Sequence, residues 1–318
     1  MSTELQLIDQ RAGPAPGPPW VIEEGRRIRG QENLRRLSRV RAGLTSVCSV
    51  RSARAEAGDE VLGETIEGLH APGYLQALEK AGRGPKLLDS WTAPGMRADT
   101  PVTAGAVRTA REGVRTAISA AQRTLAGARF TYALCRPPGH HAGPSWLGGY
   151  CYMNNAAAVL RTLRSGGVAR VGIIDLDLHY PNGTAAFAAA DDGAVLHSLH
   201  AYPVTNVPGL TVVPSTARER SFEFLHPPTT ELYLRALDNS LSELSPAVET
   251  IVVSLGYDIV AGDPHGTWTL SPKVLRSVGA RLAAAGRPLC IVQEGGYALD
   301  SLAACAAAFA HGLLKSGR

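Results

Sequence analysis

The sequence predicts an α/β protein with a single, mostly parallel central sheet and helices on both of its faces. Beyond about residue 100, short continuous apolar runs alternate with Ala-rich segments whose charges recur at helical spacing. Continuous apolar strands between amphipathic helices are typical of a parallel sheet that is buried on both faces. A length of 318 residues and an apolar fraction of 45% fit one large globular domain.

The predicted elements follow one another in a regular order. A helix over residues 103–126 precedes the strand-like run ARFTYALC, and a helix in NNAAAVLRTLRSGG precedes the run VARVGIIDLDL. The order continues with AVLHSLH, a helix over 231–244, TIVVSLG, a helix in SPKVLRSVGARLAAAG, PLCIVQEGG and a final Ala-rich helix. Residues 1–20, which include AGPAPGPP, are predicted to be a flexible Pro/Gly-rich lead-in, and residues 21–318 a single domain.

Composition indicates in which cellular compartment the protein is expected and which classes of partner it is expected to bind. No apolar run is long enough to span a bilayer and the N-terminus lacks a signal pattern, so we expect a cytoplasmic protein that binds neither membrane nor nucleic acid. Five scattered cysteines without a CxxC pair predict buried free thiols. The formal net charge is +4, and the stretch EEGRRIRGQENLRRLSRVR is interpreted as a solvated helix face.

Polar side chains cluster where the predicted strands end. The motifs RPPGHH, DLDLHYPNG, SLH, GYD and QEGGY each close or follow one apolar run. In open α/β sheets, ligands bind beyond the carboxyl ends of the strands. We therefore expect these five motifs to converge on one site.

The residues of these motifs predict a catalytic metal site. Asp177 and His179 are two residues apart, so in an extended segment they project to the same side. Together with Asp258 they form a set of three ligands that leaves positions open for water and substrate, which is typical of catalytic rather than structural sites. A metal there would polarise a carbonyl oxygen and acidify a bound water.

The remaining polar residues fit proton transfer beside that metal. His140 and His141 are candidates for taking a proton from water and for delivering charge to a leaving amine. Asp175 and Asn182 are the nearest candidates for fixing the orientation of the two imidazoles. Tyr297 could donate a hydrogen bond to a developing oxyanion.

The motifs RPPGHHAG, GGYCYMNNAA, DLDLHYPNGT, SLGYDIVAGDP and EGGY resemble the zinc-dependent histone deacetylase superfamily in order and approximate spacing. The resemblance covers roughly residues 65–315 and is greatest for the bacterial branch of acetylpolyamine amidohydrolases and histone deacetylase-like amidohydrolases. It implies the arginase/deacetylase fold and a deacetylase-like catalytic domain. It also implies a zinc-dependent hydrolysis of the acetamide of an N-acetylated amine, here a small molecule, to free amine and acetate.

The resemblance assigns roles to particular residues. One catalytic Zn²⁺ per chain would be held by Asp177, His179 and Asp258, and the chemistry would fall to His140, His141 and Tyr297, with Asp175 and Asn182 as partners of the histidines. A structural K⁺ would be held by Asp175, Ser198 and Leu199. The substrate tunnel is predicted to be lined by Gly149, Tyr150, Val207, His265, Gly295 and Gly296.

The chain departs from the family pattern at two places, of which the second bears on the expected substrate. Where relatives read HHGNG this chain has Tyr180 and Pro181, and Val207 stands where many relatives have a phenylalanine. A valine in place of the phenylalanine would leave the substrate tunnel wider. The wider tunnel and the positive net charge favour a less cationic amine over a polycation. The alternatives are a protein acetyl-lysine deacetylase, a manganese ureohydrolase of the related fold, and a non-catalytic binding protein; a homo-oligomer is left open.

Overall fold

A wholly parallel sheet forms the centre of the molecule. The computed structural model describes residues 4–11, 17–47, 49–82, 84–93, 96–201 and 218–315. Within these ranges the strands are β1 Leu5–Asp9, β2 Trp20–Glu23, β3 Arg26–Arg29, β4 Val50–Arg54, β5 Phe130–Leu134, β6 Val171–Asp175, β7 Ala194–Ala201, β8 Glu219–Phe224, β9 Thr250–Leu255 and β10 Leu289–Gln293. The helices are α1 Leu34–Thr45, α2 Asp59–Leu69, α3 Pro72–Glu79, α4 Ala104–Leu125, α5 Asn155–Ser165, α6 Asn182–Ala189, α7 Thr230–Ala247, α8 Val274–Ala284 and α9 Leu299–Lys315.

The strand order of the main sheet is β4-β1-β5-β10-β9-β6-β7-β8, and every neighbouring pair is parallel. This confirms the predicted α/β architecture with its mostly parallel sheet. The central strands β5, β6, β9 and β10 are buried along their whole length, as their unbroken apolar sequences predicted. Their carboxyl ends therefore meet at one edge of the sheet.

Helices cover the sheet on both faces and enclose two apolar cores. One core joins α1, α7, α8 and α9 to one face, and the other joins α2 to α6 to the opposite face. Side-chain caps fix the starts of two long helices, since Thr103 accepts from the amide of Ala106 and Thr229 from that of Leu232. No described helix is both long and apolar enough to cross a membrane. Four of the five cysteines lie in the described part of the chain, and these four are buried free thiols, as predicted.

The predicted flexible lead-in is wrong for residues 5–9. These residues form β1, which lies inside the sheet between β4 and β5 with Leu5 and Leu7 completely buried. The run LQLID is short and stands next to a Pro/Gly-rich stretch, so its local pattern carries little strand signal. Its partners, Val50 and Phe130 opposite Leu5, come from distant parts of the chain. Only tertiary pairing makes this segment a strand.

The arginine-rich stretch is also different from its prediction as a solvated helix face. Its first part forms the antiparallel hairpin β2–β3, and α1 begins only at Leu34. Arg36 on α1 is 2% exposed. Its guanidinium donates from Nε to the carbonyl oxygen of Gly296 and from Nη2 to that of Glu294, both at 2.6 Å. A buried arginine needs such acceptors, and they lie beside the predicted site.

Candidate active site

One pocket at the carboxyl edge of the sheet brings the predicted motifs together. Among the described residues, its lining contains nine of the predicted positions: His140, His141, Gly149, Tyr150, Asp177, His179, Asp258, His265 and Tyr297. The lining also contains residues that the sequence did not single out: Val21, Ile22, Glu23, Met96, Asp99 and Thr100. The first three belong to the β2–β3 hairpin, which therefore forms one side of the entrance.

The predicted metal ligands form a compact cluster. One ligand atom from each of Asp177, His179 and Asp258 lies within 4.8 Å of the others. Asp177 lies two residues beyond the end of β6 and Asp258 three residues beyond the end of β9, and these two strands are neighbours in the sheet. Backbone amides hold both carboxylates, because Asp177 Oδ2 accepts from Gly295 at 2.8 Å and Asp258 Oδ1 accepts from Leu178 at 3.1 Å.

The cluster fits a divalent cation. Asp258 Oδ2 is buried without a regular hydrogen bond, and His179 Nδ1 lies 3.3 Å away. A Cβ atom built on Gly295 would lie 2.5 Å from the Oδ2 atoms of both Asp177 and Asp258, so glycine keeps this cradle open. Burial and the facing Asp177 carboxylate raise the pKa of Asp258 to about 7. Two carboxylates and an imidazole with an open side match the donor set of a catalytic zinc site.

The electrostatic field of the cluster is strongly negative. Burial lowers the pKa of His179, but the carboxylates of Asp177 and Asp258 outweigh that effect and raise it to about 10. A field that stabilises positive charge to this extent on an imidazole also attracts a cation. Within the described ranges this is the one group of such ligands that could hold a metal ion.

The tandem histidines form a pair with opposite protonation preferences. Their ring centroids are 4.0 Å apart. His140 Nδ1 lies 3.4 Å from Asp175 Oδ2, and His141 Nδ1 lies 2.7 Å from Asn182 Oδ1. Burial opposes charge on His140, but Asp177 and Asp175 raise its pKa to about 10, whereas burial and the neighbouring His140 charge hold the pKa of His141 well below its usual value. Such divergence is typical of an acid–base pair.

A buried carboxylate fixes the loop that carries these histidines. Glu294 Oε2 accepts from the backbone amides of Gly139 at 2.7 Å and His140 at 3.2 Å. Burial raises the pKa of Glu294 to about 7. Glu294 stands in the EGGY motif, where the sequence alone indicates no role for it. Its contacts explain how a loop outside the sheet keeps a defined position relative to the metal ligands.

Tyr297 lies in the pocket among aromatic and cationic groups. Its ring is edge-on to His265 at 4.8 Å, tilted against Tyr150 at 5.3 Å, and 4.4 Å from the Arg36 guanidinium carbon. Burial raises the pKa of Tyr297 well above its usual value, so the phenol stays protonated. A protonated phenol beside the metal ligands is placed to donate a hydrogen bond.

The wall of the pocket contains a turn in the left-handed region. Gly149 has φ +54° and Tyr150 has φ +68°. Asp99 Oδ2 accepts from the amide of Gly149 at 2.8 Å, and Thr100 Oγ1 accepts from the amide of Tyr150 at 2.9 Å. The Tyr150 hydroxyl lies 3.0 Å from His265 Nε2. These contacts hold a non-glycine residue in a conformation that costs roughly 1–3 kcal/mol.

Two predicted tunnel residues lie outside the lining of the pocket. Val207 falls outside the described residues. Gly295 and Gly296 are not in the lining of the pocket; Gly295 lies against the metal-ligand carboxylates, and a Cβ atom on Gly296 would lie 2.6 Å from Tyr257 Cβ. Gly296 also has φ +109°. Both glycines are therefore required by contacts behind the pocket.

The departure at Tyr180 is explained by a contact with the sheet edge. Tyr180 is buried, its hydroxyl donates to Glu219 Oε1 on β8 at 2.7 Å, and its ring lies 5.0 Å from that of His200. Pro181 is the residue before α6, where a missing amide costs nothing in the helix. Tyr180 thus fastens the metal-ligand loop to the edge strand, and neither departure changes the three ligands.

A parallel α/β sheet that brings a candidate metal site, paired imidazoles and a buried phenol together at its carboxyl edge is the arrangement of a hydrolase of the deacetylase class. The chain belongs to the histone deacetylase family, whose Histone deacetylase domain matches residues 30–313. The fold is the arginase/deacetylase fold that the motifs implied. The site residues thus stand in a framework that is common to the family.

Individual relatives show which members of the family this chain is similar to. The chain is 34% identical over 213 residues to "Acetylpolyamine amidohydrolase 1" of Pseudomonas aeruginosa, a match that takes in 64% of this chain and 61% of the relative. It is 30% identical over 278 residues to "Acetylpolyamine amidohydrolase" of Mycoplana ramosa, covering 75% and 80% of the two chains. A crystal structure of acetylpolyamine aminohydrolase from Burkholderia pseudomallei superimposes with a TM-score of 0.81 at 26% identity over 98% of both chains.

The metal site yields a direct prediction. We expect purified protein to bind about one zinc ion per chain, and Asp258→Asn to lose most of it, because one of three ligands is weakened in a buried site. Elemental analysis after gel filtration measures the ratio. Asp192→Asn, which changes an exposed carboxylate paired with Arg218, is the matched control and should retain zinc. Equal zinc content in the two variants would refute the assignment.

Proposed function

We propose that this protein hydrolyses the acetamide bond of an N-acetylated small-molecule amine to free amine and acetate. The main support for the proposal is that one pocket contains the metal-ligand cluster, the two histidines with opposite protonation preferences and the Tyr297 phenol. The names of the acetylpolyamine amidohydrolase relatives support the same reaction class.

Each residue has a part in the reaction. Asp177, His179 and Asp258 would hold one Zn²⁺, which supplies Lewis acidity to a carbonyl oxygen and to water. Neutral His141 accepts the proton of the attacking water and later returns it to the leaving amine nitrogen. His140, kept charged beside Asp175, stabilises the negative charge that develops as the water adds.

Tyr297 acts on the other side of the acetyl group. Its phenol is protonated and buried, so its hydroxyl can donate to the carbonyl oxygen as that oxygen becomes negative. The rings of Tyr150 and His265 pack against Tyr297 and exclude water from this side of the pocket. Exclusion of water strengthens the hydrogen bond in the transition state.

The lining of the pocket favours a cationic amine. Apart from the metal ligands, two carboxylates line it, from Glu23 and Asp99, and its described part contains no lysine or arginine. The positive net charge of the chain is therefore a poor guide to the substrate, because local charge dominates at short range. This observation and the names of the relatives support an acetylated polyamine over the less cationic substrate that we expected from the sequence.

A structural potassium ion forms part of the proposal. Asp175 and Ser198 are register partners on β6 and β7, and the buried Leu199 follows. The Ser198 hydroxyl contacts His200 Nδ1 at 2.8 Å, and a hydroxyl oxygen engaged in this way keeps a lone pair for a cation. These oxygen-bearing groups support K⁺ at the site that the family resemblance assigned.

The alternatives have less support. A manganese ureohydrolase needs a second metal with its own ligands, and the described residues contain a single candidate cluster. A non-catalytic binding protein has no need of two imidazoles whose protonation preferences diverge. A protein acetyl-lysine deacetylase shares the chemistry and differs only in the acyl acceptor, so a comparison of substrates separates it from the main proposal.

We predict that Tyr297→Phe lowers kcat by about two to three orders of magnitude, the usual cost of one oxyanion donor, while zinc content and thermal stability stay close to wild type. The substitution removes only the hydroxyl and keeps the ring contacts with Tyr150 and His265. Steady-state kinetics and elemental analysis test it. A variant within threefold of wild type would show that Tyr297 does not polarise the carbonyl.

Substrate choice has its own test. We expect N-(4-aminobutyl)acetamide to have a kcat/KM at least about tenfold above that of N-pentylacetamide, an uncharged analogue of similar length, because a carboxylate-lined pocket stabilises the ammonium group. The advantage should shrink as salt concentration rises. An acetyl-lysine tripeptide serves as the protein-like comparison. Equal rates for the charged and uncharged amides, or the highest rate on the tripeptide, would contradict the proposed substrate class.

A further inference from the structure

A second buried carboxylate follows the metal ligand Asp258 along the same loop. Asp263 is 6% exposed and lies five residues after Asp258. Its Oδ2 accepts hydrogen bonds from the backbone amides of Tyr297 at 2.5 Å and Ala298 at 3.0 Å. Its Oδ1 accepts from the amide of His265 at 3.0 Å. One side chain therefore ties together two loops that both carry pocket residues.

These contacts fix the backbone from which the Tyr297 side chain projects. The peptide bond between Gly296 and Tyr297 is held at both ends: Arg36 Nε donates to the Gly296 carbonyl oxygen, and the Tyr297 amide donates to Asp263. The ring itself makes packing contacts with Tyr150, His265 and Arg36. Packing against a ring tolerates sliding, whereas two hydrogen bonds to one peptide unit set its position and tilt.

We propose that Asp263 is a positioning residue for Tyr297. Asp263 holds the phenol hydroxyl at the position from which this hydroxyl polarises the carbonyl oxygen of the substrate. The inference rests on the proposed function, because it concerns the part that Tyr297 plays in that reaction. It adds a residue that is not one of the three metal ligands. Asp263 also fixes His265, so it sets the spacing of the two rings that meet edge-on at 4.8 Å.

The chemistry of the contact requires a carboxylate. Three amide donors converge on Asp263, and an ionised carboxylate offers only acceptors. An asparagine has the same shape but would turn an NH₂ group towards at least one of these donors. Asp263→Asn therefore breaks the tie between the two loops on one side, and even with its oxygen turned towards Tyr297 it replaces a carboxylate by a neutral acceptor, whose hydrogen bonds are weaker.

The test compares Asp263→Asn, Tyr297→Phe and the double variant in the zinc-loaded full-length protein. We expect Asp263→Asn to lower kcat by about tenfold to a hundredfold, the loss typical of a misplaced catalytic group, with KM within threefold of wild type and zinc retained. In the Tyr297→Phe background the same change should cost less than threefold, because no hydroxyl is left to misplace. Asp300→Asn, an exposed carboxylate nearby on α9, is the control and should leave kcat unchanged.

A second readout does not depend on turnover. Residue-resolved amide hydrogen exchange should show faster exchange at Tyr297, Ala298 and His265 in Asp263→Asn than in Asp300→Asn. Should Asp263→Asn fail to fold, Asp263→Ser, whose hydroxyl can accept one of the three amides, is measured in its place with the same expectations. Unchanged exchange at these amides in the folded variant would overturn the proposal.

The kinetic outcomes separate this inference from the proposed function. Absence of deacetylation by wild-type protein, or a fully active Tyr297→Phe variant, would refute the proposed function itself. With wild type active and Tyr297→Phe impaired, an Asp263→Asn variant within threefold of wild type would overturn the positioning role. An equal loss from Asp263→Asn in both backgrounds would overturn it too, since it would show an effect that does not pass through Tyr297.

Discussion

The burial of carboxylates at the carboxyl edge of the sheet is the constraint on which the site depends. Asp175, Asp177, Asp258, Asp263 and Glu294 are all at most 6% exposed. Buried charges are tolerated only with partners, and here most partners are backbone amides of the functional loops. The need to satisfy these charges therefore also fixes the loops that carry the histidines and Tyr297. The remaining negative charge faces the pocket, where a divalent cation can neutralise it.

This arrangement makes local charge, rather than net charge, the guide to function. The same carboxylates raise the pKa of His140 while the charged His140 and burial lower that of His141. One electrostatic source thus produces both the affinity for a cation and the acid–base division of the histidine pair. Arg36 adds a buried positive charge next to these carboxylates, and its guanidinium donates to the carbonyl oxygens of Glu294 and Gly296. A chain with a net charge of +4 can in this way present an acidic pocket.

Much of the fold and the metal-ligand cluster could be predicted because their signals are local. Continuous apolar runs mark buried strands, and the spacing of Asp177 and His179 places both on one side of the chain. The missed features depend on tertiary contacts. The strand β1 is short and pairs with distant segments, and Arg36 is buried only because α1 packs beside residues 294–296. Asp263 received no role from the sequence, since nothing in AGDP reveals that Tyr297 lies against it.

We expect a bound divalent cation to relieve the repulsion of the buried carboxylates in this site. The most direct test is the thermal unfolding temperature of metal-stripped protein, measured without zinc and with zinc buffered at a free concentration far above Kd. Ligand linkage predicts a clear rise, corresponding to about 4 kcal/mol when free zinc exceeds Kd by about a thousandfold. Asp258→Asn should show little or no rise. An unfolding temperature that does not respond to zinc in the unaltered protein would contradict the account.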